Sequence, residues 1–287
     1  MSLESWLSRH YSEATAAAYL FEITAYLGHR PDAGSARHAD IVAFIGDLRR
    51  RYTNPATLNR KLAAIKAWYA YLCHSGQRED NPAKAIRLRD KRSRDIQLQD
   101  LFTEEELERL LERRDSHHAL SYRNKVLTGL LIYQALQPRE LELIELGDIN
   151  LEEGTVQVRA TPKTAGRTLG LRPQQIMLLH EYISVVRPKL LKGRQSPLLL
   201  IGERGSGMGR EDITKHVKRS YQGLYGRRTV SCQTIRQSVI ANLLKKGTDL
   251  RVVQVFAGHK YASATERYRQ TNVDALKAAV VKYHPFA

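Results

Sequence analysis

The 287-residue chain is long enough for two ordinary domains, and its 42% hydrophobic and 26% charged residues describe a globular protein. No apolar run approaches the ~20 residues of a membrane span. The start, Met1 to Trp6, lacks the basic-then-apolar pattern of a signal peptide, so a cytoplasmic location is expected. Cys73 and Cys232 fall in no metal-binding spacing and read as free thiols; neither metal nor cofactor is expected. The charge is informative: 46 Lys and Arg against 30 Asp and Glu give a formal net charge of +16. Residues 1–100 hold 16 basic and 11 acidic side chains, and residues 101–287 hold 30 and 19. An excess on both halves suits a polyanion gripped between two domains, with nucleic acid as the expected partner over a ribosome or membrane surface.

Residues 12–28 read as a helix capped by Ser12, with Tyr19, Ile23, Tyr26 and Leu27 at helical spacing. A second helix over 38–51 carries Ile41, Phe44, Ile45 and Leu48 on one face. A third follows Asn54-Pro55 and runs to His74, its stripe formed by Leu58, Leu62, Ile65, Trp68, Tyr69 and Leu72. Arg60, Lys61 and Lys66 lie off that stripe and are candidate phosphate contacts. Residues 1–88 are thus expected to form a small helical domain. Residues 89–100 form a linker, overlapping a stretch (84–94) where six of eleven residues are basic. Arg87, Arg89, Lys91 and Arg92 are read there as a strap along a phosphate backbone.

A second domain, 101–287, opens with the capping box Thr103…Glu106 and an apolar helix over 120–136. Ile149–Val158 reads as strand, turn and strand. Thr168–Leu171 returns after the turn Lys163-Thr-Ala-Gly166-Arg167, making a small sheet. Pro173–Val186 is helical, and the remainder is helical with breaks at Gly247 and Gly258-His259. Gly202–Gly209 lacks the context of a nucleotide loop. Thr234 is expected to cap a helix with Arg236 in its first turn. Gly258 sets His259 on a loop, and Tyr268 falls on a short helix beginning near Ser263. A guanidinium can bond two phosphate oxygens at once. A phenol, with pKa near ~10, needs a base or charge stabilisation to attack at neutral pH.

Three stretches carry a resemblance: TLNRKLAAIKAWYAYL from Thr57, RELELIELGDINLEEGTVQV from Arg139, and QTIRQSVIANLLKKGTDLRVVQVFAGHKYASATERY from Gln233. They resemble the tyrosine recombinases, the phage-integrase family, in its Xer- and lambda-integrase-like forms. The resemblance implies a mainly α chain, with a helical core-binding domain and an α-rich catalytic domain holding a small antiparallel sheet. It implies a site-specific DNA recombinase that cuts and rejoins duplex DNA through a 3′-phosphotyrosyl intermediate at Tyr268. Arg236 would clamp the phosphate, and His259 would assist by hydrogen bonding or proton transfer. Lys163 would protonate the leaving 5′-oxygen, with Arg167 beyond it as a DNA contact. It further implies a homo-tetramer on DNA, a tail helix (Val273, Leu276, Ala279, Val280, Tyr283) packing on a neighbour or on its own domain, and roles in DNA integration by mobile elements. Accessory proteins are left open.

Two positions depart from the family pattern. Gln233 replaces the expected histidine and cannot carry a proton. Gln137 stands where the first arginine is expected, with Arg139 two residues later in the first turn of a helix begun by Pro138. Either Arg139 substitutes or Gln137 serves alone. The competing functions are an architectural or regulatory DNA-binding protein with an impaired site, and a DNA relaxer of the type IB topoisomerase kind.

Overall fold

The computed structural model describes residues 1–88, 100–113 and 117–269. The expected basic linker, with Arg89, Lys91 and Arg92, and the tail beyond Arg269 lie outside the described residues. The chain divides into two compact units, Met1–Arg94 and Asp95–Ala287. Among the described residues no helix is long and apolar enough to cross a membrane.

The first unit consists of α1 (Leu3–His10), α2 (Glu13–His29), α3 (His38–Arg51) and α4 (Pro55–His74). The first of these helices is not foreseen from periodicity, because only Trp6 and Leu7 of its eight residues are buried. The long fourth helix starts where Asn54 Oδ1 accepts the Ala56 N–H at 3.0 Å and Pro55 occupies the first turn. All six residues of its expected stripe are buried. Tyr26 donates to Tyr69, which donates to the Ala33 carbonyl, so both hydroxyls are satisfied inside the core.

Two of the expected phosphate contacts are committed inside this unit. Glu22 is buried, and its carboxylate holds both Arg60, at 2.7 Å, and the Lys61 ammonium. Lys61 is only 14% exposed, whereas Arg60 remains 54% exposed. Lys66 donates to the Ile86 carbonyl at 2.6 Å, and its burial beside Arg87 pulls its pKa below the ordinary lysine value. The off-stripe flank of a helix faces solvent only where no other element packs on it; here α2 and the chain near Ile86 cover it. Arg87 itself is exposed.

The second unit begins with the capping box, Thr103 Oγ1 accepting the Glu106 N–H and Glu106 accepting the Thr103 N–H at 3.0 Å. It contains α5 (Glu104–Arg109), α6 (His118–Tyr133), α7 (Pro138–Leu143), a three-stranded sheet, α8 (Pro173–Glu181), α9 (Arg187–Leu191), α10 (Arg210–Ser220), α11 (Cys232–Lys245), α12 (Leu250–Ala257) and α13 (Ala262–Arg269). A π turn over Tyr182–Val186 joins α8 to α9. The sheet is antiparallel in the order β1 (Ile149–Asn150), β2 (Thr155–Val158), β3 (Arg167–Gly170), with Val156 opposite Leu169 and Val158 opposite Arg167. Alternation puts Val156, Val158, Leu169 and Arg167 on the inward face. A core of apolar residues from α6, the sheet, α8, α10 and α11 supports that face, including Leu127, Leu131, Val156, Ile213 and Ile235.

Candidate active site

Helix α11 presents Arg236. Ser231, in extended backbone, is its N-cap: Ser231 Oγ accepts the Thr234 N–H at 3.1 Å, and Thr234 Oγ1 accepts the Ser231 N–H at 2.8 Å. The expectation that Thr234 caps the helix is corrected accordingly. Three residues of extra helix place Arg236 one turn inside, away from the free N–H groups of the helix start. Arg236 is 6% exposed, and its two terminal nitrogens donate to the carbonyls of Ala135 and Ala257. Ala135, in the turn between α6 and α7, adopts φ +52°, a conformation that costs an alanine strain.

Helix α12 carries the segment that leads to the histidine. Asp249 caps it, accepting the Arg251 N–H at 2.8 Å, and Gly258 ends it at φ +67°. Its last carbonyls, which a helix leaves without internal partners, are taken by two guanidiniums: Arg236 on Ala257 and Arg167 Nε on Phe256 at 2.7 Å. His259 follows. Its Nδ1 lies 2.8 Å from Thr265 Oγ1, and its ring stacks with that of Tyr268, centroids 6.3 Å apart and planes 18° from parallel. Burial, with Arg236, Arg167 and Arg267 nearby, pulls the His259 pKa down to about 4, so the ring is neutral at pH 7. Tyr268 is half-buried against Ile240, Val253 and Ala257. Burial raises its pKa, against the smaller opposing pull of Arg236 and Arg267. Helix α13 starts at Ala262, one residue before the expected Ser263.

The sheet turn reaches the same place. Thr164 and His259 form an antiparallel bridge, Ala165 N–H donates to the Gly258 carbonyl at 2.9 Å, and Lys260 Nζ donates to the Pro162 carbonyl at 3.1 Å. Lys163, exposed at the turn tip, is thereby tied to the histidine loop. The turn is braced internally by Thr161, whose hydroxyl accepts the Thr164 N–H at 3.0 Å.

The remaining sequence candidates are placed as follows. Gln233 is exposed in the first turn of α11. Gln137 is the N-cap of α7, partly buried, two residues after the carbonyl that holds Arg236. Arg139 is 52% exposed and its guanidinium pairs with Glu142 on the same helix. Arg167, expected as a DNA contact, is instead buried: its side chain is 3% exposed and donates to both oxygens of Glu140, at 2.7 and 3.2 Å. The reason is register, since Arg167 shares the inward face of β3 with Leu169. Glu140 also accepts the Gln137 N–H at 2.8 Å. Burial pushes the Glu140 carboxyl up, but Arg167 more than offsets this and leaves it below the usual carboxylate range.

Glu140 and Thr265 are absent from the sequence-based set of site residues. The first had a signal: it stands three residues after the N-cap, the spacing of a capping box. Thr265 sits three residues before Tyr268, on the same side of α13. Among the described residues no group of three or more His, Cys, Asp and Glu is placed to hold a metal ion.

The model of the phage integrase family matches residues 100–274, and that of the phage integrase N-terminal SAM-like domain matches residues 4–76. The chain belongs to the phage integrase family. Tyrosine recombinase XerD of Oceanobacillus iheyensis is 28% identical over 288 residues, covering 98% of this chain and 95% of the relative. Tyrosine recombinase XerC of Pelotomaculum thermopropionicum is 28% identical over 249 residues, covering 85% and 80%. Two solved structures share the fold of this family member. The XerH site-specific recombinase, in a post-cleavage complex with palindromic difH substrate, has a TM-score of 0.71 at 20% identity, covering 93% of this chain and 79% of that one. A lambda integrase(75-356) dimer bound to a COC′ core site has a TM-score of 0.67 at 15% identity, covering 94% and 95%. The family makes this chain a tyrosine recombinase, an enzyme of DNA strand transfer.

Proposed function

We propose that this tyrosine recombinase breaks and rejoins duplex DNA at specific sites through Tyr268. The phenolic oxygen attacks a backbone phosphorus, a 3′-phosphotyrosyl bond forms, and the bond to the 5′-oxygen breaks. The phenol loses its proton, and the departing oxygen gains one from the Lys163 ammonium on the turn tied to the histidine loop. Arg236 binds the non-bridging oxygens, in a pocket where burial strengthens its field. His259, neutral, bonds at the junction of phenol and phosphate. One phosphodiester replaces another of similar energy, so the exchange needs no ATP. Attack by a partner strand's 5′-hydroxyl on the phosphotyrosine then reseals the DNA.

The observation that carries this reading is the convergence of Arg236 and Tyr268 on one short segment, Ala257 to His259. Two duplexes exchanged completely require four strand cleavages, which fits a tetramer with one nucleophile per strand. The DNA-bound state would use Arg60 and Arg87 of the first unit as exposed phosphate contacts. A cytoplasmic setting, with or without accessory proteins, completes the proposal.

The test is covalent trapping on nicked duplex DNA whose cleaved end diffuses away, read on a denaturing gel. Wild type is expected to form an adduct that Tyr268→Phe abolishes. Normal binding with no adduct would instead establish the architectural reading, which the glutamine at position 137 favours. Relaxation of unrelated supercoiled DNA would point to the topoisomerase-like one.

A further inference from the structure

Several helical threonines and serines of this chain bond back to their own helix, although Thr128 of α6 instead meets the Tyr221 hydroxyl at 3.0 Å. Thr24 Oγ1 donates to the Leu20 carbonyl at 2.9 Å, Thr214 Oγ1 to Arg210 at 2.8 Å, and Ser238 Oγ to Thr234 at 2.7 Å. Thr265 does not. It is fully buried, and among the described residues its hydroxyl has one partner, His259 Nδ1 at 2.8 Å. A buried hydroxyl left without an acceptor for its proton costs more than one with a spare lone pair. With a single partner available, the proton of Thr265 is directed at the ring nitrogen, and Nδ1 must then be the unprotonated one.

We infer that Thr265 is a positioning residue that donates to His259 Nδ1 and so holds the imidazole in its Nε2–H tautomer. The inference rests on the reading of Tyr268 as the nucleophile and sharpens it. A neutral ring with its proton on Nε2 has no lone pair free for the phenol, because its one acceptor nitrogen is occupied by Thr265. His259 then acts as a hydrogen-bond donor toward the phosphate and its newly formed bond, and the proton of Tyr268 leaves to water. The geometry adds a second consequence. Thr265 and Tyr268 are three residues apart on α13, so they share one side of it. The helix that carries the nucleophile therefore also carries the group that orients the histidine, and displacing it removes both together.

The experiment is long-range nitrogen–proton NMR of the ¹⁵N-labelled full chain near pH 7, with the His259 ring assigned by the signal lost in His259→Gln. The wild type is expected to show Nε2 protonated and Nδ1 bare. Thr265→Val should give a mixture of tautomers and slow adduct formation on nicked DNA about tenfold with DNA affinity unchanged. Thr265→Ser, which keeps the hydroxyl, should restore both. A wild-type ring protonated on Nδ1 overturns the inference, as does a Thr265→Val protein with the wild-type tautomer and rate. The spectrum of the DNA-free protein reads the tautomer whether or not an adduct forms, so failure of the nucleophile assignment stays distinguishable from failure of this one.

Discussion

Arg167 Nη1 donates to Glu140 Oε1 across 2.7 Å, and neither side chain reaches the surface. The pair joins β3 to the first turn of α7, and the same guanidinium holds the end of α12 through Phe256. Removing one partner leaves a buried charge uncompensated, which typically costs ~3–5 kcal/mol. Arg167→Met is expected to lower stability by that order in urea denaturation. The double variant Arg167→Met/Glu140→Leu should cost clearly less than the sum of the singles, because the stranded charge is gone.

Gly258 is expected to tolerate no side chain. A Cβ there would lie 2.5 Å from Arg167 Nη1 and 3.0 Å from the Ala165 carbonyl, on a backbone at φ +67°. Gly258→Ala should therefore reduce both thermal stability and adduct formation. A variant with wild-type melting temperature and activity would contradict the packing described for this turn.

Ala135 presents the opposite case. Its φ of +52° costs an alanine strain that glycine does not bear. Ala135→Gly relieves that strain but removes a methyl buried in the core, so stability is expected to change by less than ~1 kcal/mol. The carbonyl that holds Arg236 should stay in place, so the rate of covalent trapping should fall no more than about twofold.

Where the resemblance leads one to expect an arginine, Gln137 follows by two residues the carbonyl that fixes Arg236, whereas Arg139 is engaged by Glu142. Arg139→Ala should leave adduct formation within about twofold of wild type. Gln137→Arg should raise it about tenfold or more, given what one charged donor contributes at a phosphoryl site. A strong loss in Arg139→Ala would show that this side chain swings onto the DNA.

The depressed His259 pKa carries a sign. In the unfolded chain the ring titrates near ~6.5, and in the folded protein at about 4. Between those values the unfolded state binds more protons, so stability rises with pH across the window. The contribution is complete above ~6.5 and lost as pH falls toward 4. Wild type should lose more melting temperature than His259→Asn between pH 6.5 and 4.5, measured by calorimetry.

Much of this was legible in the sequence, for physical reasons that vary by residue. The helix of Pro55 to His74 was readable because its apolar stripe and its Asn-Pro start agree. Tyr268, His259 and Arg236 were readable only through the resemblance, since their individual spacing is unremarkable on a helical surface. Lys61 and Arg167 show where reading stops: a long cation carries no mark of burial, and the carboxylates that receive them lie 39 and 27 residues away. For Arg167 the period-2 relation to Leu169 was an available clue. Ser231 and Thr234 are comparable caps by residue type; the extended backbone at Ser231 decides between them.

The pairing of the sheet turn with the histidine loop also bears on how this chain can change in length. An added residue between Glu152 and Glu153, both exposed, enlarges a turn that faces solvent. The same addition between Pro162 and Ala165 shifts the register of Thr164 against His259 and separates the Ala165 N–H from the Gly258 carbonyl. Insertions and deletions thus meet fewer constraints in the β1–β2 turn than in the β2–β3 turn, so the length of the Lys163 turn is itself a specification of the candidate site.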